Sequence, residues 1–370
     1  MPYGTIAADR ITGTNGNSIS PESSVFRNRI INGAMVIDQR NAGANTTVTS
    51  SRNHYIDRFS VFSQAGSKLS IQQNAGSVTP PTGFTNYAGL VCTSAVTLGS
   101  GDQYMFEQQI EGYNVADLDF GKSTAKTITL SFWVRSSLTG TFAGVIANSS
   151  EDRTYPFTYT INSANTWEYE TITIPGDTSG TWLTTNGVGL RLKLNLGTGT
   201  TYRGTAGAWT SSAYISSVTG TVNFVETVGA TWQITGVQLE AGSTATSYDY
   251  RHHSVELAMC QRYYQTSYDI GQTPGTNVGV GIQHSWATSA SGAIAGGATA
   301  FSSTMRTIPS VTIYDRVGNS GKVTIFNAGA GATENTSYNS VDYNTRWLWC
   351  RVYAVAAYGM TFNYTASAEL

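Results

Sequence analysis

Charge is scarce in this chain. Lysine and arginine number 21, and aspartate and glutamate 23, which makes 12% of 370 residues; ordinary globular domains carry about 25%. The net charge is −2, and no basic stretch is sustained. Nucleic-acid binding needs a Lys/Arg-rich face to neutralise phosphates, so no nucleic-acid partner is expected. A polybasic membrane attachment is excluded for the same reason. No run of about 18 apolar residues occurs, so no helical membrane span is expected. The start, Met1-Pro2-Tyr3-Gly4-Thr5-Ile6, lacks the charged and apolar regions of a signal peptide. The expectation is a protein made and kept in a cytoplasm until lysis. Cys92, Cys260 and Cys350 are odd in number and far apart, and no CxxC is present. A disulfide framework or a zinc site would need a denser set, so buried, unreactive thiols are expected. Gly-x-Ser-x-Gly, His-Glu-x-x-His and a phosphate loop are all missing. No fixed repeat period appears, which argues against a β-helix. No cofactor and no metal is expected.

Aromatics, by contrast, reach 11%, and Thr, Ser, Gly and Asn fill the place of charge. Disorder goes with high charge and few aromatics, so this is not a disordered composition. It suits β-sheets whose outer faces are neutral and polar, and which either stay wet or pack against another copy. The length suggests two domains, each with its own core.

Residues 1–25 read as an extended arm. Gly13, Asn15, Gly16, Asn17, Ser18, Ser20 and Pro21 break any regular pattern, and Tyr3, Ile6, Ile11 and Ile19 are the only apolar anchors. Such a segment becomes ordered by lying on a partner. Residues 26–250 read as all-β. In Gly189-Leu190-Arg191-Leu192-Lys193-Leu194-Asn195-Leu196 the four leucines share one face, and Arg191, Lys193 and Asn195 the other. Thr127-Ile128-Thr129-Leu130-Ser131-Phe132-Trp133-Val134 and Thr171-Ile172-Thr173-Ile174 also alternate. A strand with one apolar face needs a second sheet over it, and the recurring turn residues fit a sandwich or jelly roll. Residues 251–265 read as a linking helix, best formed over 254–265. Ser254 would cap it, and Val255, Met259 and Tyr263 would face inward. Residues 266–370 are again β-rich, with strands around Ser310–Tyr314, 322–326 and 347–355, a turn at 317–321 and a polar loop over 327–347.

Glu107, Glu111, Asp117 and Asp119 are the candidates for paired acid–base carboxylates, and the same residues also suit ordinary strand and loop. No catalytic role is expected. His54, His252, His253 and His284 are the only histidines. Adjacent residues on a strand point to opposite faces, so His252 and His253 would be poor joint ligands. Sugars present apolar C–H faces edged by hydroxyls, which suits aromatic rings among neutral polar neighbours. Two groups meet that description: Tyr202, Trp209 and Tyr214, and Tyr338, Tyr343 and Trp347. The competing role of each is core or trimer interface. Tyr338 and Tyr343 are expected to be the most exposed.

Three blocks carry a resemblance. The first is Phe26-Arg27-Asn28-Arg29-Ile30-Ile31-Asn32-Gly33-Ala34-Met35-Val36-Ile37-Asp38-Gln39-Arg40-Asn41. The second is Trp232-Gln233-Ile234-Thr235-Gly236-Val237-Gln238-Leu239-Glu240-Ala241-Gly242 with Ala245-Thr246-Ser247-Tyr248-Asp249-Tyr250-Arg251, followed by Glu256-Leu257-Ala258-Met259-Cys260-Gln261-Arg262-Tyr263-Tyr264. The third is Phe362-Asn363-Tyr364-Thr365-Ala366-Ser367-Ala368-Glu369-Leu370. The chain resembles tailed-bacteriophage tail-fibre and virion structural proteins with a carbohydrate-binding-module-like jelly roll. The resemblance implies an all-β fold: an N-terminal arm, a jelly-roll β-sandwich, the short helix, and a second, C-terminal β-sandwich as the tip. It implies a homotrimer, attached through the arm to other phage tail or capsid proteins, that binds host cell-surface polysaccharide without cutting it. The alternatives are a head-decoration, collar or tail-shaft part without receptor binding, and a polysaccharide-trimming enzyme.

Overall fold

The structure is a computed structural model and describes residues 11–12, 18–19, 27–278, 283–286, 294–327, 331–353 and 357–370. Within 1–25, β1 (Ile11–Thr12) and β2 (Ser18–Ile19) pair antiparallel, with Ile11 opposite Ile19. This two-residue ladder lies within the segment expected to be an extended arm; Tyr3 and Ile6 lie outside the described residues. The strands that follow are β3 (Thr46–Thr47), β4 (Ser51–Ile56), β5 (Phe59–Ser63), β6 (Leu69–Gln73), β7 (Ala88–Cys92), β8 (Gln103–Glu111), β9 (Ile128–Ser136) and β10 (Gly140–Ala147). Then come β11 (Thr154–Ile161), β12 (Glu168–Ile174), β13 (Val188–Thr198), β14 (Arg203–Gly204), β15 (Ser217–Val218) and β16 (Thr231–Ala241).

Twelve of these strands make two antiparallel six-stranded sheets, ordered β11-β10-β13-β8-β5-β4 and β12-β9-β16-β7-β6-β3. The chain switches sheet between β8 and β9, β9 and β10, β11 and β12, and β12 and β13, the habit of a jelly roll. Alternation drives this packing. Leu190, Leu192, Leu194 and Leu196 all point into one core with Phe106, Phe132 and Trp232. Each such fully buried side chain contributes about 1.5–3 kcal/mol. The opposite face of β13 carries Arg191, Lys193 and Asn195 as the alternation required, and it too is covered. Lys193 is only 2% exposed and Asn195 is fully buried, because residues 199–222 fold back over that face; Ser216 lies 3.5 Å from the Lys193 ammonium.

Helix α1 (His253–Gln261) is shorter than expected, and its cap is His252, whose Nδ1 accepts from the Ser254 amide at 3.4 Å. The pair His252-His253 thus opens a helix and does not lie on a strand. The inward stripe is Glu256, Cys260 and Tyr263, whereas Val255 is exposed. Glu256 takes the inner position because it accepts from the Asn32 amide and pairs with Arg251.

Beyond the helix lie β17 (Tyr264–Thr266), β18 (Gln283–Trp286), β19 (Ile294–Ala300), β20 (Ser310–Tyr314), β21 (Val323–Asn327), β22 (Gly331–Thr336), β23 (Ser340–Tyr343), β24 (Trp347–Tyr353) and β25 (Ala357–Ser367). Strand β25 pairs with β17, β18, β20 and β21, and β19-β24-β23 form a separate three-stranded sheet. A second core holds Ile313, Val323, Leu348, Met360 and Phe362. The turn at 317–321 is present, closed on the Asp315 carboxylate by the Val317 and Asn319 amides. The polar loop expected over 327–347 is corrected: it contains β22 and β23, whose polar side chains alternate while their backbones complete ladders.

The three resembling blocks meet at the join between these units. Asn28 donates to Val237 O at 3.1 Å and accepts from the Leu239 amide at 3.1 Å. Glu111 accepts from Arg262 at 2.6 Å and from the Tyr263 hydroxyl at 2.6 Å. Glu369 pairs with Arg40 at 2.6 Å and with Arg58, and His54 Nε2 stands 3.5 Å away. The Arg58 and Arg40 guanidiniums also lie over the Tyr263 and Tyr264 rings, at 3.5 and 3.8 Å. Burial pushes the Glu369 carboxyl up, but Arg58, His54 and Arg40 together pull it down to about 2. Burial holds His54 down at about 3, against the pull of Glu369. Asp57 accepts from Gln39 at 2.7 and 2.6 Å, and burial raises it to about 7 against Arg40 and those bonds. All three cysteines are buried and free, and burial raises each thiol. Among the described residues no helix is long and apolar enough to cross a membrane.

Candidate functional site

The outer face of the β11-β10-β13-β8-β5-β4 sheet carries a cleft of about 320 Å³. Its floor follows from strand alternation. Tyr104 and Phe106 of β8 point into the core, so Gln103, Met105 and Glu107 point out. Register then sets their neighbours: Phe62 lies opposite Met105, Arg52 opposite Phe62, and Lys193 opposite Glu107. Arg52 pairs with Glu107, and its guanidinium carbon lies 5.8 Å from the Phe62 ring centroid. Lys193 pairs with Glu151. Arg191 stands 3.5 Å from the same Glu151, and burial lowers its pKa against the pull of that carboxylate.

One wall comes from residues 199–222. The Tyr202 and Tyr214 rings meet edge to face at 6.4 Å and both line the cleft. The wall is held by the Ser216 amide donating to Tyr202 O at 2.9 Å and the Tyr214 amide donating to Glu151 O at 2.8 Å. Tyr214 and Glu151 both have left-handed backbone, at φ +61° and +55°. For a non-glycine residue this costs roughly 1–2 kcal/mol. Further along β8, the face is covered by the join, where Arg262 and Tyr263 hold Glu111. The cleft is the part of the sheet face that the returning segment and the join leave open.

Chemically, the cleft offers two tyrosine rings, a phenyl ring and a thioether beside two cation–carboxylate pairs. The rings and thioether suit an apolar C–H face. The pairs set donors and acceptors side by side on the floor, where Arg52 is the part left open and Glu107, Lys193 and Met105 are buried. Among the described residues no cluster of three His, Cys, Asp or Glu is arranged to hold a metal.

The other expected residues fall elsewhere. Trp209 is packing: its ring meets Phe120, Tyr155 and Trp182, and its Nε1 donates to Pro175 O at 2.7 Å. Tyr338 is half-buried against the second core. Tyr343 and Trp347 are exposed, at the end of β23 and the start of β24. Trp349 is exposed too, with the Arg351 guanidinium 4.1 Å from its ring. Its position two residues after Trp347 on a strand was a signal for it. The four carboxylates are spread out: Glu107 meets Arg52, Glu111 Arg262, Asp117 Arg29 at 2.7 Å, and Asp119 Lys122 at 2.6 Å. His54 is half-buried at the join, His253 is exposed, and His284 lies on β18. Sequence reasoning missed Arg52, Phe62, Met105, Glu151 and Lys193. Only the outward phase of Met105 with Glu107 was readable; the rest depends on strand order.

No protein-family profile matches the chain, and no curated protein matches it. Several solved structures are similar over part of it. The enzymatically active domain of tailspike protein 4 of bacteriophage CBA120 matches at 14% identity, covering 58% of this chain and 21% of that one, with a TM-score of 0.30. This chain thus spans about a fifth of that tailspike chain's length. A putative sugar binding protein from Bacteroides thetaiotaomicron matches at 12% identity, covering 58% and 100%, with a TM-score of 0.31. A family 11 carbohydrate-binding module from Clostridium thermocellum matches at 14% identity, covering 57% and 99%, with a TM-score of 0.28.

Proposed function

We propose that this protein is a tail-fibre-type virion protein whose jelly roll binds a host-surface glycan without cutting it. The observation that carries the binding is the cleft in which Tyr202 and Tyr214 close over Phe62, Met105 and the Arg52–Glu107 and Lys193–Glu151 pairs. Stacking faces beside paired donors and acceptors are what a sugar needs from a site. The left-handed backbone of Tyr214 and Glu151 supports the same reading, because strain of this kind gathers at ligand sites. The non-catalytic reading is supported by the cation partner that each of Glu107, Glu111, Asp117 and Asp119 already has. The virion role rests on the resemblance of the three sequence blocks. In this reading residues 1–25 seat on other tail or capsid proteins during assembly in the host cytoplasm. Three copies present their clefts together, so weak contacts become multivalent.

The test is a glycan array probed with purified wild type and with a Tyr202→Ala/Tyr214→Ala double variant, alongside host adsorption. The variant is expected to lose about tenfold or more in affinity with its melting temperature intact. Unchanged affinity removes the cleft as the site. Normal particle incorporation of a wild type that binds no glycan supports the purely structural alternative. Release of reducing sugars from host envelope supports the enzyme.

A further inference from the structure

The opposite sheet carries a second, chemically different groove. It has a volume of about 430 Å³ and is walled by Trp133 and Tyr169 on one side and by Phe84, Tyr248 and Tyr250 on the other. We propose that it is a separate binding site for an uncharged glycan chain.

Four observations carry this. First, no Asp, Glu, Lys, Arg or His lines the groove; its polar lining residues are Ser131, Thr246, Ser247 and the tyrosines. A lining of rings and hydroxyls suits an uncharged polyol, and it distinguishes this groove from the charged floor of the first cleft. Second, the rings are held in place. Trp133 and Tyr169 are opposite each other in register, with centroids 5.2 Å apart. Tyr248 stands edge-on to Phe84 and to Tyr250 at 5.1 and 4.8 Å, and the Tyr250 hydroxyl donates to Gly83 O at 2.9 Å. Rings fixed in advance lose little entropy when a ligand arrives. Third, the floor is a device of the sheet. The β16–β9 register shifts between Thr235 and Gln238, and Gly236 there has φ +63°. A Cβ on Gly236 would stand 2.6 Å from Phe84 Cζ and 3.2 Å from Trp133 Cδ1. The bulge thus brings both walls together over a residue that has no side chain. Fourth, large ring surfaces stay open: Tyr169 is 44% exposed and Tyr250 60%. Exposed aromatic surface gathered in one concavity marks a binding site.

The proposal does not rest on the first cleft. The two sites lie on opposite faces of one sandwich, so each copy could hold two glycan chains at once.

The experiment titrates wild type, Tyr169→Ala/Tyr250→Ala and Tyr202→Ala/Tyr214→Ala with cellohexaose, laminarihexaose, maltohexaose and xylohexaose. Calorimetry and tryptophan fluorescence read binding, and light scattering reads mass. The expected result is that at least one hexaose binds wild type and perturbs fluorescence, that Tyr202→Ala/Tyr214→Ala retains this, and that Tyr169→Ala/Tyr250→Ala loses about tenfold or more in affinity with unchanged melting. Equal binding by Tyr169→Ala/Tyr250→Ala overturns the proposal, as does the absence of any hexaose binding to wild type. A fall in mass for Tyr169→Ala/Tyr250→Ala also overturns it, because the groove would then be a contact between copies.

Discussion

Tyr214 carries both a cost and a use. Its φ of +61° is a conformation that glycine adopts freely and tyrosine does not, and its ring is 52% exposed on the cleft wall. Tyr214→Gly should therefore raise stability by up to about 1 kcal/mol while weakening glycan binding. Tyr214→Ala should lose the binding without the gain. Paired urea melts and affinity titrations check this, and a lower melting midpoint for the glycine variant would count against it. Aromatics among small polar neighbours were visible in the sequence, and that picked out Tyr202 and Tyr214. The same criterion picked Trp209, which is packing, because its partners Phe120 and Trp182 are set by the fold and not by adjacent residues.

At the scale of elements, alternation was legible and facing was not always so. The leucine stripe of β13 lies in the core as its period required. The helix was legible as a helix, and Tyr263 and Met259 do pack inward, but Val255 is exposed and Glu256 and Cys260 take the buried positions. Val255-Met259-Tyr263 and Glu256-Cys260-Tyr263 both satisfy helical spacing, and the choice is made by Asn32, 224 residues from Glu256. The consequence is measurable in chemical unfolding. Val255→Lys should change stability by no more than about 0.5 kcal/mol. Glu256→Ala leaves the Asn32 amide and Arg251 without a buried carboxylate and should cost about 3 kcal/mol. A reversed ranking would mean that the helix faces the other way. Strands β22 and β23 escaped notice because their polar residues show no apolar period; only backbone ladders define them.

The whole molecule is governed by the join. Glu369 has a folded pKa of about 2 against an ordinary 4.5. A depressed carboxyl contributes stability that is present above the ordinary value and lost as pH falls through the folded one. The melting-temperature advantage of wild type over Glu369→Gln should thus be full above about pH 4.5 and shrink toward pH 2. His54, held down at about 3, adds acid loss from pH 6.5 downward; Asp57, raised to about 7, acts oppositely as pH falls from 7 toward 3.8. A difference between wild type and Glu369→Gln that is constant with pH would remove Glu369 from this role. Oligomeric state belongs to the same scale. Light scattering should find a trimer of 39.5 kDa chains, and deletion of residues 1–25 should leave that trimer folded but absent from particles. A stable monomer at micromolar concentration, or normal incorporation of the truncated protein, would count against the fibre reading.

The Arg58–Glu369 contact spans 311 residues of sequence. A ribosome adds about 5–20 residues each second, so the acid emerges roughly 15–60 s after the base it pairs with. Throughout that interval Arg58, Arg40 and His54 must remain hydrated, and the seam they line cannot dry. The jelly roll can take shape on the nascent chain, but its junction is sealed only once Glu369 has been made.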